Sequence, residues 1–199
     1  MSDASPKRRL VLDAAQVLFL ARGYGAVSMD AVAHAAGVSK ATLYAYFASK
    51  DALFATMMGE CALADAVEER LLAVPAADLR AALEAIGGVV LRFMLREQTL
   101  AIYRIAVAES ARFPELGQAF FAGGPQRSLE RLRHWFGRLQ VAGQMRPADL
   151  DIAAHQYAAL LRSGLFLRAS LALPPPPTEA EIERTVAAAV STWLCAFAA

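Results

Sequence analysis

The stretch "SMDAVAHAAGVSKATLYAYF", residues 28–47, does most to narrow what this chain can become. Ser28 and Ser39 each stand just before a short run with helical spacing. There a hydroxyl can accept a hydrogen bond from a free first-turn amide. Gly37 lies between the runs and suits the positive φ that ends one helix and opens a tight turn. Ala33, four residues earlier, is small enough for two helices to cross closely, and Val38 is placed to plug the core beneath the turn. Two short helices joined by such a glycine turn are the sequence form of a helix-turn-helix.

The second of these helices begins with Ser39, Lys40, Ala41 and Thr42 and continues with Tyr44 and Tyr46. A core helix of this length would carry leucines there. Short side chains let the backbone approach DNA, and the second helix of such a unit offers its N-terminal residues to base edges in the major groove. Tyr44 and Tyr46 can donate hydroxyl hydrogen bonds to phosphates, while Leu43 and Phe47 face back to a small core. Lys50 opens the next helix, where a cation and free amides together suit a phosphate. With Ser28, these are the candidate DNA-binding residues: Ser28, Ser39, Lys40, Ala41, Thr42, Tyr44, Tyr46 and Lys50.

The remaining pattern predicts an all-α protein of about nine helices. No alternating run rich in Val, Ile or Thr is flanked by a hairpin turn signal. A first helix spans about Lys7 to Arg22 and ends at Gly23, with Leu10, Ala14, Leu18 and Ala21 at helical spacing. Ser49 can cap a fourth that runs past Glu60 toward Arg70. Leu79, Leu83, Ile86, Val90 and Phe93 form one stripe of a long helix. Residues 99–112 are apolar on nearly every side, as in a helix surrounded by others. Pro114 and the Gly-Gly-Pro at 123–125 break the chain, and Leu129, Leu132, Phe136 and Leu139 mark a further helix closing near Gly143. Helix 149–171 faces inward with Leu150, Ala153, Tyr157, Leu161 and Leu165. Four prolines at 174–177 form a stiff connector. Thr178 and Glu181 then supply a capping box for a last helix with Ile182, Val186, Ala189, Trp193 and Phe197 on one face.

Composition limits the function classes. Hydrophobic residues make up 57% and charged ones 20%, a globular balance and not a disordered one. Net charge is +1, but residues 1–50 balance to +3 and the rest to −2, an asymmetry that gains meaning beside a DNA-reading motif. The apolar segments 7–26 and 185–199 read as soluble helices, since the first is interrupted by Asp13 and Gln16 and the second is too short to span a bilayer. Cys61 and Cys195 read as two buried thiols of a reduced, cytoplasmic protein. The three histidines share no metal spacing and no phosphate-cradling glycine loop follows a strand, so no catalytic residue, metal or cofactor is assigned. A helical adaptor would explain the apolar helices equally well, but not the polar residues gathered around one short helix.

Residues 7–54, through "AAQVLFLARGYGAVSMDAVAHAAGVSKATLYAYFASKDALF", resemble the DNA-binding domain of TetR-family transcriptional regulators. The usual family form has histidine where Tyr46 stands and an aromatic residue where Ala45 stands. The segment "YRIAVAESARFPELGQAFFAGGP" is also similar to the C-terminal domain of AefR-like regulators. The resemblance implies a DNA-binding domain over 1–54 and a ligand-binding and dimerisation domain over 55–199. It further implies a homodimer on a pseudo-palindromic double-stranded operator, a repressor released by a small apolar or amphipathic effector. Candidate ligand residues are Phe93, Glu97, Tyr103, Arg104, Phe120, Phe121, Trp135 and Phe166. Candidate dimer residues are Leu161, Leu165, Val190 and Leu194, beside a stripe of mostly small side chains at Ala187, Ser191, Leu194 and Ala198.

Overall fold

The computed structural model describes residues 5–59 and 78–199. In chain order its helices are α1 (Pro6–Arg22), α2 (Met29–Ala35), α3 (Lys40–Tyr46), α4 (Lys50–Gly59), α5 (Leu79–Met94), α6 (Glu97–Glu109), α7 (Pro114–Gly123), α8 (Pro125–Val141), α9 (Leu150–Leu161), α10 (Gly164–Ser170) and α11 (Glu179–Phe197). Apart from one isolated bridge, Met145 to Ala198, the described residues form no β-structure, so the all-α expectation holds. The expected continuation of α4 toward Arg70, and Cys61, lie outside the described residues.

Two compact units result. The first comprises Met1–Cys61 with Ala101–Gln126, the second Ala62–Leu100 with Arg127–Ala199, so one boundary falls inside α6 and another near the start of α8.

In the first unit α1 packs against α2, α3 and α4. Pro6 occupies the first turn of α1, where its missing amide costs nothing. Gly23 ends the helix at φ +76°, donating its amide to the Phe19 carbonyl. The buried face is Val11, Leu12, Ala15 and Phe19, whereas Leu10 is 53% exposed and Ala21 also faces solvent. The row Leu10–Ala14–Leu18–Ala21 therefore flanks the core face instead of forming it. Phe19, Tyr24, Phe54 and Phe113 make an aromatic cluster, with the Tyr24 ring 5.4–5.6 Å from the other three. Each such contact contributes about 0.5–1.5 kcal/mol beyond area burial. Pro114 does more than break the chain. It starts α7, a ten-residue helix that packs on α4. Val107 of α6 is 60% exposed, so that helix is not enclosed on every side.

In the second unit α5, α9 and α10 pack on α11. Leu83, Ile86, Leu91, Phe136, Tyr157, Leu161, Val186, Val190 and Trp193 share its core. The expected helix 149–171 is two helices. Ser163 leaves the helical region at ψ −165° and Gly164 follows, a pair that interrupts the ladder readily. Cys195 is exposed, contrary to expectation, because Trp193 and Phe197 turn the opposite side of α11 inward.

The capping box at the start of α11 is present as expected: Thr178 Oγ1 accepts from the Glu181 amide, and the Glu181 carboxylate accepts from the Thr178 amide. Glu181 also pairs with Arg168 of α10 at 2.9 Å. The Arg168 guanidinium, then the Thr178 amide, hold the Glu181 carboxyl down to about 2 from an ordinary 4.5. A carboxylate with a depressed folded-state value stabilises fully above 4.5 and loses that stabilisation as pH falls toward 2. The stability gap between wild type and Glu181→Gln is accordingly expected to close over that window in an acid series of urea titrations. Parallel curves would show that Glu181 titrates alike in folded and unfolded chains.

Candidate nucleic-acid interface

The 28–47 stretch folds as its local chemistry requires. Ser28 Oγ accepts from the Ala31 amide and Ser39 Oγ from the Thr42 amide, both at 3.1 Å. Each cap contributes about 1 kcal/mol. Gly37 takes φ +65°, where a β-carbon would be strained whatever the space around it. The turn closes with the Val38 amide on the Ala33 carbonyl at 3.0 Å, which fixes the close crossing at Ala33, itself buried.

Residues of α3 then sort by side. Leu43 and the following Phe47 are buried, while Ser39, Lys40, Ala41, Tyr44, Ala45 and Tyr46 are exposed and Thr42 is half-buried. One face anchors the helix and the other stands open with three hydroxyls and an ammonium. That is the arrangement of a helix that enters a DNA groove.

Several partners refine the reading of the individual residues. Ser39 and Thr42 hydroxyls bond each other at 2.8 Å, so the two oxygens are held side by side, and either can be the donor. Lys40 Nζ lies 2.5 Å from Asp30 on α2, which raises its pKa through that bond. Tyr46 donates its hydroxyl to Ser5 Oγ at 2.8 Å, and the Arg8 guanidinium lies over the Phe47 ring at 5.4 Å. The start of α1 thus adjoins the end of α3. Asp30, Ser5 and Arg8 were missed in the sequence, because neither spacing nor residue type marks a partner across a turn.

Lys50 differs from its expected place at a phosphate. Its ammonium donates to the Tyr24 carbonyl at 2.9 Å and the Val27 carbonyl at 3.0 Å, and stands 4.1 Å from the Tyr24 ring centroid. Two of its three donors are held inside the unit, and burial pushes its pKa down, against the pull of Asp51, Glu109 and Glu115. Tyr24 in turn donates its hydroxyl to Asp51.

The candidate ligand residues are divided between the two units. Tyr103, Arg104, Phe120 and Phe121 belong to the first unit; Phe93, Glu97, Trp135 and Phe166 belong to the second. Tyr103 and Phe120 rings meet at 6.1 Å, Trp135 packs on Phe136 at 5.4 Å, and Phe121 is half exposed. The second unit holds an open hollow of about 540 Å³ lined by Arg133, His134, Gly137, Arg138, Val141, Ala142 and Leu150, none of them a candidate. Of the four candidate dimer residues, Leu161, Leu165 and Val190 are buried in the core of their own unit. Their apolar spacing marked an inward face. Leu194 is half-buried, and Ala187 and Ser191 beside it are exposed.

An all-α chain with this helix-turn-helix is a DNA-binding protein of the helix-turn-helix class. Comparison with known proteins narrows the class. Residues 11–57 match the family of bacterial regulatory proteins of the tetR type, and residues 81–199 match the C-terminal domain of AefR-like transcriptional repressors. The solved structure of the flavonoid-responsive regulator FrrA is 37% identical over 96% of this chain and 97% of its own, with a TM-score of 0.76. A TetR-family transcriptional regulator from Mesorhizobium loti is 26% identical over the whole of both chains, with a TM-score of 0.82. Helix-turn-helix transcriptional regulators of two Mycobacterium tuberculosis strains are 51% identical over 43 residues, a match spanning 22% of this chain and 21% of theirs. The chain belongs to the TetR family of DNA-binding transcriptional regulators. No helix among the described residues is long and apolar enough to cross a membrane.

Proposed function

We propose that this protein is a cytoplasmic, homodimeric repressor that holds a pseudo-palindromic operator and leaves it when a small amphipathic molecule binds. The observation that carries the reading is the open polar face of α3 over a buried Leu43 and Phe47. Residues 1–54 read the DNA, and residues 55–199 hold the effector and the dimer contacts. Ser39, Lys40, Ala41, Thr42, Tyr44 and Tyr46 make the DNA contacts, with Ser28 holding α2 in place. A single short helix reads few base pairs, so a two-fold pair on half-sites about 34–36 Å apart supplies the affinity. The exposed leucines of the α10 region, Leu167 and Leu171, with the Ala187–Ser191–Leu194 stripe of α11, are the surface suited to that pairing. Similarity to a flavonoid-responsive regulator favours a planar aromatic effector with a few polar groups.

Selection of genome fragments by the purified protein at moderate salt, followed by footprinting, tests the reading. A protected two-fold site, released by flavonoid-like compounds, is the expected result. Binding that ignores sequence, and falls with salt equally on every fragment, would overturn operator recognition.

A further inference from the structure

The loop between α1 and α2 is gripped from two sides by side chains outside the helix-turn-helix. Glu109, the last residue of α6, accepts from the Tyr24 amide at 2.6 Å and the Gly25 amide at 2.8 Å. A β-carbon on Gly23 would lie 2.7 Å from the same carboxylate, so Gly23 serves both its φ of +76° and the approach of Glu109. On the opposite side of the peptide chain, Lys50 holds the Tyr24 and Val27 carbonyls. The Phe113 ring stands 5.6 Å from that of Tyr24 and would meet a β-carbon on Gly25 at about 3.1 Å. These contacts lie within the first unit, and the loop they hold leads directly into Ser28, the cap of α2.

We propose that Glu109 is a positioning residue for operator recognition: by holding the 24–25 amides it sets where α2, and through the glycine turn α3, stands relative to α1. The inference rests on the operator-binding reading above. Bonds between a carboxylate and backbone amides are among the stronger ones in a protein, and two on adjacent residues fix the peptide planes as well as their position. Removal of the grip lets the loop sample other geometries. Specific contacts, which need side chains aligned with base edges, then suffer, while general attraction to phosphates does not.

The sign of the effect separates positioning from electrostatics. Deleting a negative charge near a DNA-binding face raises affinity for every duplex. Loss of a positioning contact lowers affinity for the operator alone. Glu109→Gln in the full-length protein keeps the size but sets a donor against one amide donor, so at most one bond survives. The expected result is an operator-to-random affinity ratio reduced about tenfold. Affinity for random duplex and the salt slope stay at the wild-type level or slightly above. An unchanged ratio, or equal gains on both duplexes, would overturn the proposal. If the variant does not fold, amide exchange in wild type decides: slower exchange at Tyr24 and Gly25 on operator than on random DNA supports it, and equal exchange overturns it. Wild type that selects no operator at all would instead sink the operator reading itself.

Discussion

Trp193→Ala is expected to lower the unfolding free energy by about 3–5 kcal/mol, the range for removing a large aromatic side chain from a packed core. Trp193 is only 1% exposed and meets three other aromatic rings of the second unit. Its ring lies 4.6 Å from Phe136, 5.1 Å from Phe197 and 6.2 Å from Tyr157, and its indole nitrogen donates to the Ala153 carbonyl at 3.0 Å. The substitution therefore empties a volume bounded by α8, α9 and α11 and also removes a buried hydrogen bond to a carbonyl of the α9 ladder. Trp193→Phe should cost less, about 1–3 kcal/mol, from the lost indole hydrogen bond and the smaller ring together. Urea unfolding followed by circular dichroism is the suitable measurement, since the fluorescence reporter is itself altered. A loss below about 1 kcal/mol for the alanine variant would mean that the surrounding rings collapse into the space.

Ala41→Glu is expected to do the opposite, leaving the fold intact and abolishing DNA binding. Ala41 is exposed in the first turn of α3, where a carboxylate faces the free amides and favours the helix by about 0.3–1 kcal/mol. The same charge would meet the phosphate backbone wherever α3 enters a groove. Like charges forced together across an interface cost several kcal/mol, so affinity should fall by about 100-fold or more. Anisotropy titrations against operator and random duplex, beside a thermal melt, measure both effects together. A variant that melts at or above the wild-type temperature but still binds operator tightly would remove α3 from the groove.

The helix-turn-helix was legible because everything that shapes it acts within four residues. A Ser hydroxyl finds the third amide beyond it, a glycine takes a positive φ, and an alanine permits a close crossing. The capping box at Thr178 and Glu181 was legible for the same reason. Burial stripes on α5, α8, α9 and α11 also came through, since period and residue type suffice to mark an inward face. What such a stripe does not reveal is which partner it faces. Leu161, Leu165 and Val190 were read toward a second subunit, and within the chain they line the core of their own unit. Pro114 was read as a break in the chain, and it also opens a helix, because a proline fits the first turn of the helix that follows it.

Ion pairs and backbone grips were out of reach in the sequence. Lys50 reads as a phosphate ligand by its place at a helix start, yet it reaches back 23 and 26 residues to two carbonyls. Glu109 meets the Tyr24 amide across 85 residues, a separation at which no periodicity carries information. Sequence alone determined the helix-turn-helix, its two serine caps and its glycine turn, because these follow from short-range sterics and hydrogen bonding, and those motifs carried the resemblance to the family. Tertiary structure decided which charges are committed to contacts within the fold, because a long side chain's partner depends on where distant backbone comes to rest.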